Sequence, residues 1–226
     1  GMTAVTCTTI ANTCAFTGLA AGVTYTVDLV ATNSRGSVHG VTEIKPADEH
    51  YSAQWYLFSE FGINLPKAWA FTRGSQSVVV AVLDSGITKH PDLDSQVLPG
   101  YDFVSSKASS NDGDGWDADP SDPGDYYTDA KGNFVESSWH GTHVAGIIAA
   151  SANTIGITGV APNIKIQPVR AMGTDGGSSA DLIAAINWAA GLQVPGVPLN
   201  PTPAKVINMS MGTSGISLCD DIPAAG

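Results

Sequence analysis

The alternation of apolar and polar positions changes character near residue 45. Before that point, Thr24-Tyr25-Thr26-Val27-Asp28-Leu29-Val30 alternates with a period of two, which predicts a half-buried strand in a segment rich in Thr, Val, Tyr and Gly. After it, the apolar runs lengthen. Ser77-Val78-Val79-Val80-Ala81-Val82-Leu83 is continuous and β-branched, as expected of a parallel strand covered on both faces. Residues 181–190 carry apolar side chains at helical spacing, with Ser178 or Ser179 placed to cap the start and Gly191 to end it. A Pro-rich loop at 195–203 precedes Lys205-Val206-Ile207-Asn208-Met209-Ser210, which reads as a further short buried strand. Strands alternating with helices predict an α/β fold built on a doubly wound parallel sheet. The chain therefore divides into a β segment at 1–45, a linker at 46–53 that opens on Pro46-Ala47-Asp48-Glu49, and an α/β unit at 54–226.

Composition narrows the function classes. The 226 residues hold 43% hydrophobic side chains, too many for a disordered chain. Ten Lys and Arg against 21 Asp and Glu give a net charge of −11, which excludes a nucleic-acid binder working through bulk charge. No run of about 18 apolar residues is present, so no membrane helix is expected. The acidic, Lys-poor balance suits a secreted protein, and Gly1-Met2-Thr3-Ala4 has neither the basic nor the apolar region of a signal peptide. Cys7 and Cys14 flank a turn-like stretch; they are either a disulfide across a hairpin, implying an oxidising compartment, or two half-buried thiols. Cys219 is left over, free or paired with a cysteine outside this sequence.

Three stretches carry chemistry. Asp84-Ser85-Gly86 follows the apolar strand at once, and the carboxyl end of a parallel strand is where open α/β sheets place their sites. The competing reading is an Asp that caps a turn. His140-Gly141-Thr142-His143 opens a helix of small residues. His140 and His143 share a face at i, i+3, but zinc hydrolases use His-Glu-x-x-His, and no Glu stands here to act as base. Seven Asp fall between residues 112 and 129, either a solvated loop or a metal site on Asp112, Asp114 and Asp117; Trp116 and the missing closing Glu break the EF-hand pattern.

Read together and in order, Asp84-Ser85-Gly86, His140-Gly141-Thr142-His143-Val144-Ala145-Gly146, Gly159-Val160-Ala161-Pro162 and Val206-Ile207-Asn208-Met209-Ser210-Met211-Gly212 resemble the subtilisin-like serine proteases, over about residues 54–218. The resemblance is to secreted bacterial members with a long segment between the Asp and His motifs. It implies that Asp84 orients an imidazole and that His140 is the general base and then the general acid. His143 is expected to pack beneath the site. Gly176, Gly177, Ser210, Met211 and Gly212 match the segments that pair with an extended polypeptide substrate, with Met211 an apolar pocket wall. The resemblance also implies structural calcium held by Asp92, the Asn153 side chain, the carbonyls of Ser151, Ile155 and Ile157, and Gln54, which lies 30 residues before Asp84. Separately, Gly18-Leu19-Ala20-Ala21-Gly22-Val23-Thr24-Tyr25 and Ala31-Thr32-Asn33-Ser34-Arg35-Gly36 resemble the second half of a fibronectin type III domain, present only in part.

The pattern departs from the family at one place. The nucleophile's Gly-Thr-Ser-x-Ala motif and the oxyanion Asn before it are absent; Gly212-Thr213-Ser214 imitates the triplet but follows the pocket strand directly. The chain thus reads as a protease truncated before its catalytic Ser and inactive alone, acting in full on polypeptide substrates, with a propeptide or inhibitor as a further candidate partner and a monomer expected. The competing readings are a pseudoenzyme that keeps the cleft, an adhesive module, and a metal hydrolase using Asp84, His140 and His143.

Overall fold

The computed structural model describes residues 26–33, 36–43, 45–69 and 71–212. The alternating segment forms β1 (Thr26–Asn33), which pairs antiparallel with β2 (Gly36–Glu43), Thr26 opposite Glu43 and Asn33 opposite Gly36. Cys7, Cys14, Ser214 and Cys219 lie outside the described residues.

The segment read as a linker packs onto the α/β unit. Pro46 and Asp48 are buried, and a 3₁₀ turn at Tyr51–Ala53 leads into α1 (Trp55–Phe58) and α2 (Leu65–Trp69). Tyr51, Leu57, Leu65 and Trp69 form a small core, pinned by Trp69 Nε1 donating to the Val160 carbonyl at 2.8 Å.

The main sheet is built from β3 (Val79–Asp84), β4 (Tyr101–Asp102), β7 (Lys165–Arg170) and β8 (Val206–Asn208), in the order β4-β7-β3-β8 and parallel throughout. Between β4 and β7 run α3 (Lys107–Ser110), a hairpin of β5 (Tyr127–Thr128) and β6 (Phe134–Val135), and α4 (His140–Ala149). Helix α5 (Ser179–Ala189) follows β7. It starts as its sequence predicts: Ser178 Oγ accepts from the Asp181 amide at 3.1 Å, and Gly191 leaves it with φ +83°.

All six residues of β3 are buried, which is why its run is unbroken by polar side chains until Asp84. One face, Val80 and Val82 with Ile166, packs on Ala145 and Ala149 of α4. The other, Ala81 and Leu83 with Val169, packs on Ala184, Ala185 and Trp188 of α5. Each large side chain removed from water here contributes roughly 1.5–3 kcal/mol. The expectation of a buried last strand fails for β8. Val206 is exposed and Ile207 and Asn208 are half-buried, because β8 is the sheet's edge and, among the described residues, pairs only with β3.

Candidate active site

Asp84 ends β3, and its side chain is wholly buried. Its Oδ1 accepts from the Ser85 amide at 2.8 Å and meets His140 Nδ1 at 2.8 Å; among the described residues Oδ2 has no partner. A carboxylate only accepts, so Nδ1 carries the hydrogen, and in the neutral ring Nε2 is then the nitrogen with the lone pair. The His140 side chain is 43% exposed, so that lone pair belongs to a ring open to solvent. This arrangement can remove a proton from a group placed against Nε2 and stabilise the resulting imidazolium.

Close packing sets the geometry. The Ser85 hydroxyl donates to Asp122 Oδ2 at 2.7 Å and accepts from the Gly141 amide at 3.0 Å, so it ties the start of α4 to the end of β3. Burial pushes the Asp122 carboxyl up, against the Ser85 and Gly124 hydrogen bonds that pull it down. Thr142 Oγ1 accepts from the Thr88 amide at 2.8 Å. A Cβ on Gly141 would fall 2.2 Å from the Gly86 carbonyl oxygen and 3.2 Å from Asp84 Cβ. Gly141→Ala must therefore push the helix off the strand, and we expect a loss of about 1–3 kcal/mol, seen as a lower thermal midpoint. An unchanged midpoint would contradict this packing.

The two segments expected to bind substrate leave the sheet beside Asp84. Since β7 and β8 flank β3, Gly176 and Gly177 emerge on one side of Asp84 and Ser210, Met211 and Gly212 on the other. Gly176 has φ +85° and open space at its Cβ position, while a Cβ on Gly177 would meet the Ala171 carbonyl at 2.3 Å. Ser210 Oγ accepts from Asn208 Nδ2 at 2.9 Å, and Met211 packs against the α5 core. His143 is exposed rather than packed beneath the site, lining a surface pocket with His90, Asp92 and Thr142. Among the described residues no three His, Cys, Asp or Glu side chains gather into a cluster that would hold a zinc-type metal, around His140 and His143 included.

The expected calcium residues mostly converge. Asp92 Oδ2 accepts from the Ile157 amide at 3.1 Å, the Asp92 carbonyl from the Ser151 amide at 2.9 Å, and Asn153 Oδ1 from the Ile155 amide at 2.8 Å. Gln54 lies against Thr158: Oε1 accepts from its amide at 2.9 Å and Nε2 donates to its carbonyl at 2.8 Å. A further residue enters here, Asp48, whose Oδ1 accepts from the Asn153 amide at 3.0 Å. Asp48 and Asp92 are both buried, and each keeps one oxygen, Asp48 Oδ2 and Asp92 Oδ1, without a hydrogen-bond partner among the described residues. Burial first, and then the Asp48 charge, push the Asp92 carboxyl up. Two buried like charges with free oxygens beside an amide and backbone carbonyls fit a hard divalent cation. Asp48 is hidden in the sequence because it sits in a stretch that reads as a linker.

The acidic loop is organised by a cation. Arg170, at the end of β7 and buried, binds Asp102, Asp112 and the Ser110 carbonyl. Its strand neighbours in register are Asp84 and Asp102. Burial raises Asp112, but hydrogen bonds from Ser110 and the Asp114 amide, with Arg170, outweigh it and bring the carboxyl down to about 2. Burial likewise raises Asp102 and prevails there, to about 6, against the Val104 amide and Arg170. Asp114 is exposed and donates its amide to Asp112 Oδ1 at 3.2 Å, and Asp117 accepts from the Asp119 amide at 2.8 Å. Trp116, which breaks the EF-hand pattern, is an anchor: its ring lies 5.1 Å from Phe103, and Nε1 donates to Asp181 at 3.0 Å.

A model of the subtilase family, peptidase S8, matches residues 75–225. The chain is 43% identical over 179 residues to an extracellular basic protease of Dichelobacter nodosus, covering 75% of this chain and 30% of that one. It is 46% identical over 178 residues to an extracellular protease of Xanthomonas campestris, covering 76% and 30%. A solved protease structure from Pseudoalteromonas arctica superposes with a TM-score of 0.73 at 46% identity, covering 78% of this chain and 53% of that one. The chain thus spans about 30% of the length of these curated relatives.

Proposed function

The chain belongs to the subtilase family, and on that premise we propose that the full gene product is a secreted serine endopeptidase whose proton-transfer pair is Asp84 and His140. The observation that carries this is the 2.8 Å contact between His140 Nδ1 and a buried carboxylate whose other oxygen has no partner among the described residues. The nucleophile in this reading is a serine on a Gly-Thr-Ser-x-Ala motif, which residues 1–226 do not contain. Its hydroxyl proton passes to His140 Nε2 as the oxygen attacks the peptide carbonyl. Asp84 stabilises the imidazolium, which then gives the proton to the departing amine, and water repeats the cycle on the acyl-enzyme. An extended polypeptide lies between the 176–177 and 210–212 segments, where glycine admits a backbone closely and Met211 offers an apolar wall. Secretion is supported by relatives named extracellular. A propeptide or inhibitor would occupy the same cleft, and the β1–β2 hairpin is read as part of a fibronectin-like module.

The test is hydrolysis of an unfolded polypeptide by the full gene product in the presence of a zinc-selective chelator. Activity should persist; its loss would favour the metal hydrolase instead.

Calcium, in the same reading, is structural and held by Asp48, Asp92, Asn153 and carbonyls of the 151–157 loop. It neutralises two buried carboxylates. Chelating it should lower the thermal midpoint, and Asp48→Asn should remove most of the calcium dependence, whereas Gln54→Ala should not. Because ligand binding stabilises by RT ln(1 + [L]/Kd), the midpoint should climb with calcium concentration, about 2.7 kcal/mol at a hundred times Kd. A midpoint indifferent to calcium would overturn the assignment.

A further inference from the structure

We propose that the hairpin between Asp125 and Ser138 is an auxiliary docking arm of the cleft, holding a stretch of polypeptide substrate rich in aromatic and basic side chains away from the reacting bond. The proposal rests on the peptidase reading above.

Two-stranded hairpins are marginal alone, and this one is fastened at both ends. At its base, Asp125 accepts from the Ser138 amide at 2.6 Å and from the Ser138 hydroxyl at 2.8 Å. At its tip, Asp129 accepts from the Lys131 and Asn133 amides, each at 2.8 Å, and from Asn133 Nδ2 at 3.0 Å, while Gly132 turns with φ +85°. Between them Tyr127 pairs with Val135 and Thr128 with Phe134.

The arm joins the site directly. Ser138 is two residues before His140, and Asp125 lies within electrostatic reach of that imidazole. Trp139 between them adopts φ 51°, ψ 35°, a conformation bulky residues avoid. It is nevertheless 44% exposed, so burial of its ring does not balance the strain.

Four aromatic rings on and beside the arm face solvent: Tyr126 is 45% exposed, Tyr127 53%, Phe134 65% and Trp139 44%. Tyr126 and Phe134 stack at 5.8 Å. Rigid rings with two side-chain torsions anchor a partner at low entropic cost, and a rimmed apolar patch of this kind marks an interaction site. The chain on and around the arm is acidic: Asp117, Asp119, Asp125, Asp129 and Glu136 stand against a single Lys131. That charge favours basic side chains, which also bind ring faces. It disfavours a second copy of this chain, since a two-fold pairing would bring like charges together.

The test uses the full gene product carrying Tyr127→Ser and Phe134→Ser together, at exposed positions clear of Asp84 and His140. Two substrates are compared: a blocked four-residue chromogenic peptide, and an unfolded peptide of roughly 30 residues rich in Phe and Lys. We expect kcat/KM for the short substrate to stay within about twofold, and KM for the long one to rise about fivefold or more with kcat retained. Raising salt should likewise raise KM for the long substrate alone. Unchanged kinetics on both substrates would overturn the proposal. So would a parallel fall on both, which would make the arm a support for His140, or a shift from dimer to monomer in sedimentation, which would make it a self-association surface. A wild type that cleaves neither substrate would remove the peptidase reading. The arm would then stand if the long peptide still binds and the variant binds it more weakly, and fall if it does not.

Discussion

His140→Ala in the full gene product is expected to lower kcat for peptide hydrolysis by about 10⁶-fold, and Asp84→Asn by about 10⁴-fold, with KM within a few-fold. These are the magnitudes known for the corresponding residues of subtilisin, a member of the same family, and they are carried over from it. The structure supplies the reason for their order. His140 is the group that holds the proton, so nothing replaces it. Asp84 acts on the reaction through the imidazole, by one 2.8 Å contact that fixes which ring nitrogen carries the hydrogen. The Asp84→Asn substitution puts a neutral amide in place of a negative charge, leaving the imidazolium unsupported and the wrong tautomer accessible. Steady-state kinetics on a chromogenic peptide decide the matter. An Asp84→Asn enzyme within tenfold of wild type would mean that the contact is structural.

Arg170→Met is the substitution expected to cost most stability, about 3–5 kcal/mol, because it leaves the buried Asp102 without its cation and beside the more exposed Asp112 carboxylate. For a domain of this size that corresponds to a thermal midpoint lower by about 10 °C. Adding Asp102→Asn to Arg170→Met should recover part of the loss by removing one orphaned charge. If Arg170→Met melts within 2 or 3 °C of wild type (roughly 1 kcal/mol by the same conversion), the network does not organise the loop. The pH dependence has two signs. Asp112 is held at about 2, so its contribution is complete above the unfolded carboxylate value near 4 and is lost as pH falls toward 2. Asp102 is raised to about 6, so its ionisation works the other way, and stability falls as pH rises from about 4 through 6. Arg170→Met should weaken the first effect, since the Ser110 and Asp114 hydrogen bonds remain, and sharpen the second.

What can be read from the residue string is what local physics dictates. The unbroken apolar run of β3 can only be a strand covered on both faces, and the Asp ending it has to mark the carboxyl edge. Ser178 and Gly191 bracket α5 by capping chemistry that acts within a few residues. The Asp and His motifs carry the pair that the fold brings together across 56 residues. What stays hidden depends on contacts between distant segments. Asp48 looks like part of a linker until the 151–157 loop folds against it. Arg170 is one more basic residue until β4 and the acidic loop close around its guanidinium, although a charge ending an otherwise apolar strand is a usable sign. The exposure of β8 follows from its place in the strand order, which its own composition does not encode. Where the Gln54 amide lies is equally hidden, since sequence separation from Asp84 says nothing about which backbone it meets, that of Thr158.

The central claim is that Asp84 and His140 activate a serine. The most direct measurement is labelling of the full gene product with a fluorophosphonate, followed by mass spectrometry of the labelled peptide. One serine should be labelled stoichiometrically, within a Gly-Thr-Ser-x-Ala sequence and in step with loss of peptide hydrolysis, and His140→Ala should abolish the labelling. Hydrolysis that survives full labelling, or equal labelling in His140→Ala, would contradict the account.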